Sequence, residues 1–189
     1  MDIDRTLFGT PWVAIKESPW GYHYLERKGK DSIAVFLLRK ISPSTSLRVS
    51  PERSRRADRK EYEVLIRQQP LAIRSVSLDE ELPLYPCPIT GGIDGEESPE
   101  EAAVREVYEE SGFSVEVLPL GKYFVGTQTN EICYMYYADV TGVEPEVAQQ
   151  DGSYFEAVSK NEWHPFEYLK KCDYGACQLG YFKLKEIIF

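Results

Sequence analysis

GGIDGEESPEEAAVREVYEESGF, residues 91–113, joins a glycine turn to a proline-started stretch dense in glutamate. Ser98 is placed to act as an N-cap, and Pro99 stands at the first helical position, where its missing N–H costs nothing. Glu101 lies where a capping box requires it, three residues beyond the serine. Gly112 supplies a C-terminal stop. This punctuation predicts a helix over residues 99–111. At about 100° per residue, Glu109 falls roughly 60° to one side of Glu106 and Glu110 roughly 40° to the other, so the carboxylates share one face. Ala103, Val104, Val107 and Tyr108 occupy the neighbouring arc and are expected to pack on a core.

Like charges gathered on one face, two of them near the unfavourable end of the helix dipole, destabilise a helix unless something compensates. A divalent cation is the obvious compensator, and hard oxygen donors select Mg²⁺, Mn²⁺ or Ca²⁺ over zinc. A plain solvated acidic face has the same composition, so spacing must separate the two readings. Gly91, Glu97, Arg105, Glu106, Val107, Glu109, Glu110, Gly112 and Phe113 follow one pattern without a mismatch: Gly, five residues, Glu, seven residues, Arg-Glu-apolar-any-Glu-Glu-any-Gly-apolar. That pattern is the Nudix box, and the chain resembles the Nudix hydrolase family.

The resemblance implies an α/β fold, an α/β/α sandwich around a mixed sheet, and hydrolysis of a nucleoside diphosphate linked to another group. It implies that Glu106 and Glu110 are the main metal ligands, that Glu109 contributes to the cluster, and that the backbone carbonyl of Thr90 joins them. Glu97 and Arg105 would brace loop and helix, with Gly91 and Gly112 as the other structural positions of the box. The implied cofactor is Mg²⁺ or Mn²⁺. Breaking a pyrophosphate link requires neutralised nonbridging oxygens, an activated water and a stabilised leaving phosphate, all of which metals in a carboxylate cluster provide. The base for the water is Glu106 or Glu109, or a residue of a separate loop, where Asp151 is the first candidate and Glu156 the second.

Within the family the arrangement is most similar to the ADP-ribose pyrophosphatase branch. The segment PWVAIKESPWGYHYLER precedes the core, YEVLIRQQP carries an arginine-glutamine pair, and GTQTNEICYMYYADV leads through an acidic residue into an aromatic strand. By that resemblance residues 1–30 form an N-terminal β extension that exchanges across a homodimer and helps build the nucleoside pocket, and residues 31–189 form the hydrolase domain. Two departures leave the substrate open between ADP-ribose and a nucleotide sugar. No proline occurs between Pro119 and Pro145, and Pro70 stands near the place of an arginine expected in that branch. Tyr123 and Glu131 are candidate substrate contacts, and Arg67 and Arg74 candidate phosphate contacts. The alternatives are a hydrolase of nucleoside triphosphates, dinucleotides or RNA caps, and a non-catalytic nucleotide-binding regulator. Every acidic position of the box is retained, which favours catalysis.

Composition sets outer bounds. A chain of 189 residues with 42% hydrophobic content can bury one core with small additions. The net charge of −9 opposes nonspecific nucleic-acid binding. Against that average, residues 47–60 are arginine-rich and read as a solvated insertion. Cys87, Cys133, Cys172 and Cys177, with His23 and His164, show no metal-ligand spacing, and free thiols are expected rather than a disulfide framework. The apolar run at 33–38 is far too short for a membrane span, and the start MDIDRTLFGT lacks the order of a signal peptide, so a cytoplasmic protein is expected. Strands are predicted at 12–16, 22–27, 33–38, 62–67, 72–77, 122–125, 132–140 and 153–158, with a second helix over 161–171.

Overall fold

The run SIAVFLLRK forms the central strand β4 (Ser32–Lys40) of a computed structural model that describes residues 4–27, 31–41, 61–70, 83–149 and 157–188. Ile33, Val35 and Leu37 point to one face, where they meet Ala102, Ala103 and Val107 of helix α1 (Pro99–Ser111). Phe36 and Leu38 point to the other, against Phe166, Leu169, Tyr181 and Leu184. A strand covered on both faces has no reason to alternate polar with apolar residues, which accounts for the unbroken hydrophobic run.

Around β4 lie β5 (Tyr62–Pro70), β6 (Leu84–Cys87), β7 (Ile89–Gly92), β8 (Leu118–Phe124), β9 (Ile132–Asp139) and β10 (Lys160–Pro165). The strand order is β10-β5-β4-β9-β8, with β6 pairing β5 and β7 pairing β4. The β4–β9 pair is parallel and the others are antiparallel, so the sheet is mixed. Helix α1 covers one face; a 3₁₀ helix (Phe166–Lys171) and α2 (Gly175–Ile188) cover the other, completing the expected α/β/α layering. Strands β1 (Arg5–Gly9), β2 (Val13–Glu17) and β3 (His23–Arg27) form a separate three-stranded antiparallel sheet. It is tied to the body where Leu25 N–H donates to the Gln128 carbonyl at 2.8 Å and Asn130 N–H to the Leu25 carbonyl at 3.3 Å. All four cysteines are buried and free, and among the described residues no helix is long and apolar enough to cross a membrane.

Several expectations need correction. Val104 is 38% exposed and Ala102 is buried in its place, so the core-facing stripe of α1 is rotated about the helix axis and uses small side chains near its start for close approach to the sheet. Tyr108 turns outward and donates its hydroxyl to Glu146. The helix predicted over 161–171 begins as strand β10, where Asn161 pairs with Arg67 and Trp163 with Leu65; only residues from Phe166 onward are helical, in the 3₁₀ form. Pro165 fixes that switch, because a proline is compatible with an edge strand's end and with a helix start but cannot donate within either. Residues 157 and 158, expected to end a strand, are helical, and 153–156 lie outside the described residues, as do the strand at 72–77 and the basic stretch at 47–60. Strands β1, β6 and β7 and helix α2 were not anticipated.

In α2, Ala176, Cys177, Gly180, Tyr181 and Leu184 are buried, a helical stripe facing the sheet. Gly180 lets the helix approach β4 so closely that a methyl group there would overlap the ring of the fully buried Phe36. Gly180→Ala is therefore expected to overpack this contact and lower stability by about 1–3 kcal/mol. Thermal melts of the two proteins provide the check, and an unchanged melting temperature would show that the interface has slack.

Candidate active site

The glutamate-bearing helix is fixed at both ends. Ser98 Oγ accepts from Glu101 N–H at 3.2 Å while Glu101 Oε2 accepts from Ser98 N–H at 2.7 Å, and Gly112 takes the left-handed conformation with φ of 74°. A Cβ at Gly112 would also overlap the Glu146 carbonyl oxygen, so both conformation and space call for glycine there.

Arg105 is the hub of the box. Its Nη2 donates to Glu97 Oε1 at 2.7 Å and to the Gly92 carbonyl at 3.1 Å, and its Nε donates to Glu97 Oε2 at 3.1 Å. The same guanidinium reaches along the helix, with Nη1 at 2.9 Å from Glu106 Oε1 and 3.1 Å from Glu109 Oε2. Glu97 above all, then Glu106 and Glu109, hold its pKa above the usual arginine value. Glu97 in turn accepts from Asp94 N–H at 2.6 Å, which ties the loop before the helix to the helix itself. The repulsion among these carboxylates, for which the sequence suggests a cation as compensator, is met in part by the chain's own arginine.

Glu106 and Glu110 converge on one short piece of backbone. The carboxyl group of Glu106 fills the space that a Cβ on Gly91 would occupy, which explains why this position is glycine. Glu110 Oε2 accepts from Thr90 N–H at 3.4 Å, and its other oxygen lies 3.0 Å from Arg67 Nε. The side chains of Glu106 and Glu110 are 14% and 7% exposed, against 38% for Glu109. Among the described residues no group of three His, Cys, Asp or Glu is arranged to hold a metal by itself. A hard cation held by two carboxylates and the Thr90 carbonyl would complete its shell with water or substrate oxygen. Mg²⁺ favours that sparse protein ligation, so the donor set fits it.

Beside this backbone lies a cavity of about 290 Å³. Thr90, Gly91 and Gly92 form one side, Tyr123 and Tyr174 another, and Arg27 and Glu131 also line it, joined by an ion pair of 2.5 Å. Burial raises the pKa of Tyr123 and pushes Tyr174 up to about 12, so both phenols stay neutral near pH 7. Burial likewise raises the Cys133 thiol on the cavity wall.

Tyr123 and Glu131 therefore line the same cavity as Thr90 and Gly91. Arg67 does not line this cavity: its side chain is 4% exposed and clasps Glu110 from below. Asp151, Glu156 and Arg74 lie outside the described residues. Sequence reading missed Arg27 and Tyr174. Arg27 ends a strand assigned to a dimer contact and to the nucleoside pocket without any residue of it being singled out, and Tyr174 precedes a helix that was not foreseen, although the apolar spacing of ACQLGYFKL carried its signal.

Residues 55–178, well over half of the chain, match the family model of the NUDIX domain. The chain belongs to the NUDIX family. The crystal structure of an ADP compounds hydrolase is similar to this Nudix protein over 98% of this chain and 91% of its own, at 14% identity and a TM-score of 0.62. A hydrolase of the NUDIX family from Clostridium perfringens is similar over 85% of this chain and 98% of its own, at 18% identity and a TM-score of 0.51. At these identities the likeness is one of fold. No curated protein matches the sequence. The expectations of a Nudix hydrolase and a mixed α/β fold stand.

The Gly91 contact yields a direct test. Its collision partner in Gly91→Ala is the flexible end of Glu106, so the fold should survive while that carboxylate is displaced. The expected outcome is a melting curve near that of the parent with Mn²⁺ affinity weakened roughly tenfold. An unchanged Mn²⁺ isotherm would place Glu106 outside the metal site.

Proposed function

We propose that this Nudix protein uses Mg²⁺ or Mn²⁺ to hydrolyse the pyrophosphate bond of a nucleoside diphosphate linked to a second moiety, ADP-ribose or a nucleotide sugar. The observation that carries the reading is the convergence of Glu106, Glu110 and the Thr90–Gly91 backbone at the wall of a cavity of suitable chemistry. Glu106, Glu110 and the Thr90 carbonyl hold the cation, and Glu109 extends the cluster toward solvent. When bound, the cation supplies charge neutralisation on phosphate oxygens and a more acidic water. Glu106 or Glu109 would take the proton of an attacking water, with Asp151, which lies outside the described residues, as the alternative base.

The cavity favours a sugar over a terminal phosphate. The cation among its described lining residues, Arg27, is already paired with Glu131, and the hydroxyls of Tyr123 and Tyr174 can both donate to and accept from the hydroxyls of a sugar. The ADP compounds hydrolase that shares this fold is named for substrates of the proposed kind.

The reading extends to a homodimer built on residues 1–30. Phe8, Trp12, Trp20 and Tyr22 are 62%, 77%, 82% and 75% exposed in and around the small sheet. A three-stranded sheet of this kind needs a packed face for stability, and large exposed aromatic clusters mark association surfaces. A second copy of the chain is the proposed cover, and sedimentation at micromolar concentration is expected to give twice the chain mass. A monomer under those conditions contradicts it.

Activity is tested by incubating the protein with Mg²⁺ or Mn²⁺ and ADP-ribose, nucleotide sugars, dinucleoside polyphosphates, nucleoside triphosphates and capped RNA. AMP or another nucleoside monophosphate plus a sugar phosphate is the expected product pair. Glu106→Gln and Glu110→Gln should each cut turnover roughly a hundredfold or more; Glu106→Gln keeps an acceptor for Arg105 and should melt near the parent, whereas Glu110→Gln leaves the buried Arg67 without its counter-charge and should melt lower. Saturable binding with no metal-dependent product would establish a regulator instead.

A further inference from the structure

We infer that Arg67 is a positioning residue that holds Glu110 in its metal-binding orientation; this rests on the metal-dependent reading above. Arg67 sits in an otherwise apolar stretch of β5, beside Val64, Leu65 and Ile66, and is almost wholly buried. A buried guanidinium is costly unless its donors are engaged. Here they grip one residue twice, Nε at 3.0 Å from Glu110 Oε1 and Nη1 at 3.3 Å from the Glu110 carbonyl oxygen. Arg67 Nε also donates to Gln69 Oε1 at 3.2 Å, and Gln69 Nε2 donates to Thr90 Oγ1 at 3.3 Å. Thr90 N–H closes the ring by donating to Glu110 Oε2 at 3.4 Å. A second anchor, Asn161 Nδ2, donates to the Glu110 carbonyl at 2.7 Å.

The ring has a directional consequence. With Oε1 turned to Arg67, Oε2 is turned to Thr90, the residue whose carbonyl is the proposed backbone ligand. One side chain thus aligns a carboxylate and a carbonyl for the same cation, and neutralises the carboxylate when no cation is present. The planar fork of arginine is needed to hold side chain and backbone of Glu110 together; the point charge of lysine cannot match it.

The test is Mn²⁺ binding to the full chain, followed by electron paramagnetic resonance, for the parent, R67Q, R67K, E110Q and R67Q/E110Q, with thermal melts beside it. R67Q is expected to weaken Mn²⁺ binding roughly tenfold or more and R67K to fall between. Because Arg67 acts through Glu110, R67Q should add little to the loss already caused by E110Q. An R67Q isotherm equal to the parent's, or losses that multiply in the double variant, would overturn the inference. If R67Q does not fold, R67K carries the test, and an unchanged isotherm there overturns it as well. A parent protein that fails to bind Mn²⁺, or an E110Q variant that binds as the parent does, defeats the metal-dependent reading and this inference with it. An intact E110Q loss with a silent R67Q defeats the inference alone.

Discussion

Helix α1 lies against β4 and β7 so closely that the Glu106 carboxyl group takes the place of a side chain at Gly91. Burial of Ala102, Ala103 and Val107 against Ile33, Val35 and Leu37 holds the helix there. Full burial of a residue such as Val107 is worth about 1.5–3 kcal/mol, whereas repulsion between like charges one turn apart costs only about 0.2–0.5 kcal/mol. Packing therefore wins, and the carboxylates of Glu106 and Glu110 are pressed onto the Thr90–Gly91 backbone despite their mutual repulsion. The capping box at Ser98 and the left-handed stop at Gly112 fix where the helix begins and ends.

The remaining charge is managed by two arginines that divide the work. Arg105 runs along the exposed side, linking Glu97 and the Gly92 carbonyl to Glu106 and Glu109. Arg67 comes from the sheet below and meets Glu110 in the protein interior. Removing one partner of such a buried pair costs about 3–5 kcal/mol, which makes this contact far more consequential than the partly exposed Arg105–Glu109 pair at about 0.3–0.5 kcal/mol. The carboxylates are thus held in place by the chain's own groups, and the cavity beside them is built from elements remote in sequence: β3 supplies Arg27, β8 Tyr123 and the turn before α2 Tyr174.

How much of this was legible in the sequence depended on range. The helix Pro99–Ser111, its capping box and its glycine stop follow from neighbours within four residues, and they were read correctly. So was β4, because a strand buried on both faces leaves an unbroken apolar run. Residues 161–165 were misread because their tertiary pairing with β5 overrides a locally helical pattern. The burial of Arg67 was equally hidden: the sequence offers it as a candidate phosphate contact at a strand end, and only the fold reveals Glu110 beside it. That Tyr123 and Glu131 share a cavity was legible because they flank a recognisable aromatic strand, while Arg27 enters it through a sheet whose docking on residues 128–131 no local signal announces.

The most direct measurement is a crystal soaked in Mn²⁺ and examined by anomalous scattering. The expected peak lies within about 2.3 Å of oxygens from Glu106 and Glu110 and of the Thr90 carbonyl. A density map with no peak there, or with Mn²⁺ bound only by exposed carboxylates away from Thr90, would contradict the proposed metal centre.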